Sequence, residues 1–237
     1  MTYQSIAISD DLSTLPQLPG WVTSVRAETL ETVAFRSGAA LMVLDQLVCD
    51  ERYGVPVKLL ANRLALSAAT VTSKLEGRLA READIRDAYH LTLPGEARGP
   101  DGELLAFWRE GVRLRGGRTG EIADFVGAEF AGEVGVWLDV GLERARTHGP
   151  LAGCVAVLRA VLETDDRAER VACLLSDIVL ARALNWTVVL PVSAQRLTKT
   201  VLRDLAAGEQ GAELALQIRI LETIEETVRL ARDLARR

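Results

Sequence analysis

The sequence predicts an all-α protein, built as a bundle of about nine to ten helices with no substantial sheet. Apolar residues recur at steps of three and four along most of the chain, which is typical of helices with one buried face. No alternation of strands and helices is visible, and no glycine-rich turn follows a strand. The only strand-like run is 186–192, and Pro191 within it favours a loop or a sheet edge.

The predicted helices follow one another with short breaks. Gly54 and Pro56 separate the first two, and Ser67 and Ser193 stand where helix N-caps are expected. The predicted helical segments are 27–48, 57–66, 68–79, 80–91, 104–114, 121–130, 134–147, 151–162, 168–184, 194–208 and 214–236, of which 151–162 and 168–184 are the most apolar and are expected at the centre.

The pattern divides the chain into an N-terminal arm and a single helical domain. Residues 1–26 hold Pro16 and Pro19 and few periodic apolar positions, which predicts an extended arm whose Trp21 packs onto another surface. Residues 27–237 form the predicted domain, whose length suits one core. Five glycines and prolines within 94–102 predict the clearest loop, which offers a sub-boundary inside this domain.

Composition narrows the class of protein. Apolar residues make up 49% of the chain and the net charge is -5, which excludes a disordered chain and argues against binding nucleic acid or acidic membranes by bulk charge. The three cysteines are widely spaced without a CxxC pair, as in reduced compartments. The N-terminus lacks a signal-peptide pattern and no uninterrupted apolar run approaches ~20 residues, so we expect a cytoplasmic protein without a membrane segment.

Motifs for catalysis and metal binding are missing. The sequence contains no GxSxG nucleophile elbow, no GxxxxGK[ST] phosphate loop and no GxGxxG turn. Asp87 and His90 have the DxxH spacing of a helical metal half-site, but the surroundings of His148 supply no second half. We therefore predict no catalytic residues, no metal and no cofactor.

The richest polar stretch runs from Arg63 to Arg118, and its segment 63–109 holds most of the candidate site residues. One interpretation is a solvated ladder of ion pairs, since positions 78, 82 and 86 follow one another at i,i+4. The alternative is an inward-facing network of arginines and carboxylates that fixes the 94–102 loop or binds an anionic ligand. The candidate residues for this network or anion site are Arg36, Arg63, Arg78, Glu82, Arg86, Asp87, His90, Trp108 and Arg109.

Residues 59–75 have the helix, short turn and small-polar second helix of a helix-turn-helix module. The absence of a glycine in the turn and the single positive charge of the second helix weigh against DNA binding. The candidate DNA-contacting residues are Ser67, Thr70, Thr72, Ser73 and Lys74.

Short motifs along the chain resemble one known family. They are AFRSGAAL at 34–41, RLAL at 63–66, RDAYHLT at 86–92, PGEARGP at 94–100, FWR at 107–109 and LNWTVVLP at 184–191. The resemblance is to an uncharacterised, mainly alpha-proteobacterial family of unknown function, which implies no reaction, substrate or cofactor. Members of that family are typically longer, so this chain is expected to be a short member. Their genes are associated with DNA-handling functions, which raises the prospect of a DNA-linked role.

Three functional hypotheses follow. The first is a non-enzymatic helical module that binds a macromolecular partner within a DNA-linked regulatory or maintenance assembly. Helix 214–236 is amphipathic, so it is suited to bind a protein partner or a second copy of the chain. The second is an enzyme or a binder of a small anionic ligand that uses the polar segment 63–109. The third is a helix-turn-helix regulator that binds DNA directly.

Overall fold

The computed structural model describes residues 15–93, 95–114 and 117–237. Over these residues the chain is all-α, with no strand, which confirms the predicted fold class. The eleven α-helices in this described part of the chain are α1 Gly20–Thr23, α2 Leu30–Cys49, α3 Val57–Leu75, α4 Glu82–His90, α5 Gly99–Gly111, α6 Thr119–Val126, α7 Val134–His148, α8 Pro150–Thr164, α9 Glu169–Ala183, α10 Lys199–Ala206 and α11 Ala212–Ala235. Short 3-10 turns lie at Glu51–Tyr53 and Ala128–Phe130.

Helix α9 is the centre of the bundle. Every residue from 171 to 181 is buried, and α9 packs against α7, α8 and α3. Helices α7 and α8 approach closely because two glycines face each other: a Cβ added at Gly153 would lie 2.6 Å from the carbonyl oxygen of Gly141. The buried apolar residues form one cluster that reaches from Leu15 to Leu234.

Helix α3 runs without a break from Val57 to Leu75, so the predicted turn at Ser67 is wrong. Leu64, Ala65, Ala68 and Ala69 give α3 a continuous buried stripe across that position, and tertiary packing outweighs the weak capping signal of the serine. A helix-turn-helix module is therefore not formed by residues 59–75.

Helix α5 begins inside the segment that was predicted to be a loop from 94 to 102. Pro100 lies in its first turn, where a missing N–H costs nothing. Gly102 is buried against α4: a Cβ there would lie 3.0 Å from the carbonyl oxygen of Ala88. Pro100 therefore begins helix α5 and Gly102 allows it to pack against α4. The connection between α4 and α5 is shorter than predicted. Pro94 lies outside the described residues.

The arm is anchored differently from the prediction. Within residues 15–26 the chain forms the short helix α1, and Leu15 and Val22 are buried. Trp21 is 67% exposed, and its ring lies beside that of Phe35, with the two ring centroids 6.0 Å apart. Residues 1–14 of the predicted arm lie outside the described part of the chain.

The segment between α9 and α10 is an irregular loop whose residues 189–194 are buried, so of the two predictions for 186–192 the loop is confirmed and the sheet edge is wrong. Ser193 does not cap a helix; Thr198 caps α10 instead, by accepting a hydrogen bond from the N–H of Val201 at 3.4 Å. Ser193 points into the core, because its backbone N–H and hydroxyl have partners on α9.

Helix α11 packs against α2, and to a lesser extent against α3 and α8. Its apolar side, which includes Leu216, Ile220, Ile224 and Val228, is buried within the same chain. The amphipathic face that suggested a partner at helix 214–236 is therefore already covered, so the reason for placing a partner there no longer holds.

Helix α2 is the one described helix with the length and mean hydropathy, 1.3 over its best window, of a membrane span, although its apolar runs are interrupted in sequence. Of that window, 39% is buried inside the protein. Core helices pass the same length and hydropathy criteria, and one side of α2 is a core face.

Candidate functional site

The ends of α4 and α5 bring four polar side chains together: Tyr89, His90, Arg98 and Arg109. The guanidinium carbons of Arg98 and Arg109 lie 5.0 Å and 4.9 Å from the centre of the Tyr89 ring. The His90 ring meets the Tyr89 ring edge-on at 5.0 Å, and Nη1 of Arg109 lies 3.4 Å from Nε2 of His90. We call these four residues the Tyr89 cluster. Arginine stacked on an aromatic ring keeps its N–H groups available for an anion.

A second polar network joins the end of α3 to α5 and α9. The side chain of Arg78 lies 2.5 Å from Glu76 and 3.4 Å from Asp101. Ser73 donates a hydrogen bond to Asp101 at 3.4 Å, and Arg170 on α9 lies 3.8 Å from Glu76. These arginines are paired with carboxylates, so this network ties helices together.

The prediction of a ladder of ion pairs along positions 78, 82 and 86 is wrong. Arg78 lies between α3 and α4, outside any helix, and faces Asp101 instead of Glu82. Arg86 pairs with its neighbour Asp87 at 2.9 Å, and both side chains are about half exposed. Glu82 is exposed at the first position of α4. None of these residues joins the Tyr89 cluster through a hydrogen bond.

Two predicted arginines lie elsewhere. Arg36 on α2 pairs with Glu225 on α11 at 2.6 Å and donates a further hydrogen bond to the carbonyl oxygen of Val25 at 2.9 Å. Its side chain is only 14% exposed, so Arg36 holds α2, α11 and the arm together. Arg63 is exposed on α3, beside Gln195 and Glu226, in a depression of about 240 Å³.

Trp108 is fully buried and donates its indole N–H to Oγ1 of Thr72 at 3.0 Å. Thr72 in turn donates to the carbonyl oxygen of Ala68 at 2.8 Å. Trp108 therefore fixes α5 on α3 and is not accessible to a ligand.

The residues chosen as DNA contacts do not form an exposed row. Thr72 and Ser73 are buried, at 1% and 0% exposure, while Ser67 and Thr70 are half-buried. Lys74 is the only exposed residue of the five. Buried side chains cannot reach a major groove, so Thr72 and Ser73 are not part of a recognition surface in the described conformation, and DNA contact by the other three residues stays a prediction.

A buried polar centre on α9 had no counterpart in the sequence-based predictions. Oδ1 of Asp177 accepts the backbone N–H groups of Val192 and Ser193, at 3.1 Å and 2.9 Å. The hydroxyls of Ser176 and Ser193 lie 2.8 Å apart. Burial raises the pKa of Asp177 to about 7, although the two N–H donors and the Ser193 hydroxyl act in the opposite direction. We call Ser176, Asp177 and Ser193 the Asp177 centre.

The cysteines are poor nucleophiles. Burial raises the pKa of Cys154 to about 12 and that of Cys173 well above its ordinary value. The pKa of Cys49 is raised to about 11, first by burial and then by the neighbouring charge of Asp45. Asp45 also accepts the indole N–H of Trp186 at 2.8 Å.

An open cleft of about 850 Å³ lies beside Asp45 and Cys49, between α2, α3 and the end of α9. Its lining includes Lys58 and Thr187 but no nucleophile with a lowered pKa. Over the described residues, no group of three or more histidine, cysteine, aspartate or glutamate side chains comes together in a way that could hold a metal ion.

Beyond its first turn, which holds Glu31, the side of α2 that faces away from the core is exposed and, apart from Gln46, apolar. The exposed positions after its first turn are Ala34, Phe35, Gly38, Met42, Gln46 and Cys49. Phe35 is 46% exposed and Met42 is 60% exposed. We call Ala34, Phe35, Gly38, Met42 and Gln46 the outer face of α2; none of them carries a charge.

The fold and these sites define an all-α protein in which Arg36, Arg78 and Trp108 join helices, whereas the Tyr89 cluster lies near the surface. The chain belongs to the family of proteins of unknown function DUF1403, whose model matches residues 6–237. This confirms the resemblance to an uncharacterised family. No curated protein and no solved structure matches the chain.

Sequence reasoning selected His90 and Arg109 for the site but missed their partners Tyr89 and Arg98. The signal was available, because both missed residues lie inside the motifs 86–92 and 94–100. Asp177 could have been found as the only charged residue in the otherwise uncharged run 171–181 of a predicted central helix.

Proposed function

We propose that this protein is a non-enzymatic helical interaction module whose partner is a second copy of the same chain, docked on the outer face of α2. The observation that carries this proposal is that α2 is apolar on two opposite sides. One side, with Val33, Ala40 and Leu44, is buried in the core, and the other is exposed to solvent. An exposed apolar face on a helix whose other side lies in the core often marks a surface at which another protein docks.

The outer face suits close contact with another helix. Gly38 lies at its middle, and a Cβ added there would meet nothing within 4 Å. Phe35 and Met42 flank Gly38 one turn before and one turn after it. The larger side chains of one copy can therefore pack beside Gly38 of the other copy, as small residues allow when helices cross.

Charge supports a second copy as the occupant. The whole chain carries a net charge of -5, so two copies repel each other overall, and a neutral contact surface adds no local repulsion to this. Ala34, Phe35, Gly38, Met42 and Gln46 are neutral, and a two-fold contact brings this surface against itself. Neither a strongly basic nor a strongly acidic partner gains charge complementarity there.

We also propose that this dimer is a cytoplasmic protein and acts within a DNA-linked regulatory or maintenance assembly, as the sequence analysis predicts. The gene association implied by the family resemblance supports the DNA link. A dimer would present two copies of any surface to such an assembly, which raises its avidity. The proposal does not use α3 as a DNA-recognition helix.

The test is the molar mass of the full chain by size-exclusion chromatography with light scattering. We expect the wild-type chain to be a dimer at about 50 µM and Met42→Glu to weaken dimerisation by at least about 30-fold, since an unpaired charge would enter the interface. The matched control is Val136→Glu on α7, because Val136 is 62% exposed, close to the 60% of Met42.

Val136→Glu should leave the dimer intact. A wild-type chain that is monomeric at that concentration contradicts the proposal. Equal weakening by the two substitutions also contradicts it, since the interface would then not be specific to α2. Circular dichroism shows whether each variant keeps its helices.

A further inference from the structure

Positive charge is concentrated at the Tyr89 cluster. The guanidinium carbons of Arg98 and Arg109 lie 5.0 Å and 4.9 Å from the same ring centre, so the two groups are at most about 10 Å apart. Like charges at this separation repel each other unless an anion lies nearby. The cation–π contacts to Tyr89 offset part of that repulsion and hold both guanidinium groups near one ring.

Carboxylates of the described part of the chain neutralise this charge poorly. Arg109 contacts the Tyr89 ring and Nε2 of His90, with no carboxylate within salt-bridge distance among the described residues. The nearest carboxylate oxygen to Arg98 belongs to Glu103, 4.0 Å away, and both side chains are substantially exposed. Asp87 is engaged by Arg86 at 2.9 Å.

The arrangement is held by the packing of α5 on α4. A Cβ at Gly102 would lie 2.6 Å from Cβ of Arg98 and 3.0 Å from the carbonyl oxygen of Ala88, so only glycine allows the two helices to approach this closely. Arg98 precedes α5 and Arg109 lies in its last turn, while Tyr89 and His90 end α4. Both arginines therefore depend on a rigid helix pair for their positions.

We infer that the Tyr89 cluster is a binding site for a phosphate group, held by Arg98 and Arg109 with His90 beside them. A guanidinium group offers paired N–H donors that match the oxygens of a phosphate, and two such groups match its double negative charge. Two guanidinium groups that have only one distant carboxylate partner between them, Glu103 at 4.0 Å from Arg98, favour a doubly charged anion over a singly charged one. The site uses elements other than α2 and does not depend on dimerisation.

The experiment is isothermal titration calorimetry of the full chain with inorganic phosphate at constant ionic strength. We expect saturable binding to the wild-type chain, weakened at least about tenfold by Arg109→Gln and, separately, by Arg98→Gln. The matched control is Arg113→Gln, which removes the same charge just beyond α5, where Arg113 is 76% exposed and pairs with Glu110 at 3.3 Å. It should change binding by less than about twofold.

A second titration with phenyl phosphate distinguishes the source of the phosphate group. Binding at least as tight as that of inorganic phosphate assigns the site to phosphate esters, and weaker binding assigns it to free phosphate. The inference is overturned if neither compound gives a saturable signal up to about 20 mM. It is also overturned if Arg113→Gln weakens binding as much as Arg109→Gln, because bulk charge would then be the cause.

Discussion

Helices α2 and α11 pack against each other, yet they use their apolar residues differently. Helix α11 has one apolar side, and α2, α3 and α8 cover it within the chain. Helix α2 has apolar residues on both sides, and the described chain covers only one of them. The amphipathic pattern of α11 is thus explained by the fold, whereas the outer face of α2 is not.

The first prediction contrasts the two sides of this pair. Ile224→Ala on the covered side of α11 should lower the free energy of unfolding by about 4 kcal/mol, because it leaves a cavity in the core. Met42→Ala on the outer face of α2 should change the unfolding free energy of the monomer by less than about 0.5 kcal/mol. Urea denaturation of dilute protein measures both, and equal losses would contradict the assignment of Met42 to a free surface.

The second prediction concerns the Asp177 centre in the covered part of the fold. The pKa of Asp177 is about 7 in the folded protein against 3.8 as its ordinary value, so the folded state holds a proton that the unfolded state has lost between these pH values. The contribution of Asp177 to stability is therefore present below pH 4, falls as pH rises towards 7 and is constant above it. The total fall corresponds to about 4 kcal/mol.

Asp177→Asn is the control for this pH dependence, since an amide keeps the acceptor for the N–H groups of Val192 and Ser193 but does not titrate. The difference in unfolding free energy between wild type and variant should shrink or reverse as pH rises from 4 to 7, measured by urea denaturation at each pH. A difference that stays constant would show that Asp177 titrates near its ordinary pKa.

The third prediction concerns the ion pair between α2 and α11. Arg36→Met should lower the free energy of unfolding by about 2 to 3 kcal/mol, because it leaves the largely buried Glu225 without its partner. Replacing Arg229 with methionine is the comparison, since Arg229 is 68% exposed and lies 4.0 Å from Glu226, a contact worth well below about 1 kcal/mol. Thermal denaturation of both variants measures the two losses of unfolding free energy. Equal losses would mean that burial does not strengthen the ion pair of Arg36 with Glu225.

Much of the fold could be predicted from apolar periodicity alone. The central helices α8 and α9 and the terminal α11 have boundaries close to those predicted, because their buried stripes are long and uninterrupted. The predicted helix boundaries were wrong where a capping or turn residue in the sequence competed with tertiary packing. Ser67 suggested a cap, but α3 continues through it, and the glycines near 99–102 suggested a loop, but Gly102 permits helix contact.

The candidate site was less predictable, because it depends on contacts between elements. His90 and Arg109 were selected for their chemistry, but only the packing of α5 on α4 shows that Tyr89 holds both Arg98 and Arg109. Residue type could not separate Arg36, which is tied to Glu225, from Arg109, which has no described carboxylate partner.

The most direct test of the central claim is a cysteine cross-link at the middle of the outer face of α2. In a Cys49→Ser background, which removes the exposed thiol, Gly38→Cys adds a Cβ that meets no described residue outside its own stretch of helix within 4 Å. Two-fold contact of α2 with α2 near this position predicts rapid formation of a disulfide-linked dimer under mild oxidation, and Val136→Cys in the same background should form no disulfide-linked dimer. The absence of cross-linking at position 38, or equal cross-linking at both positions, would contradict the claim.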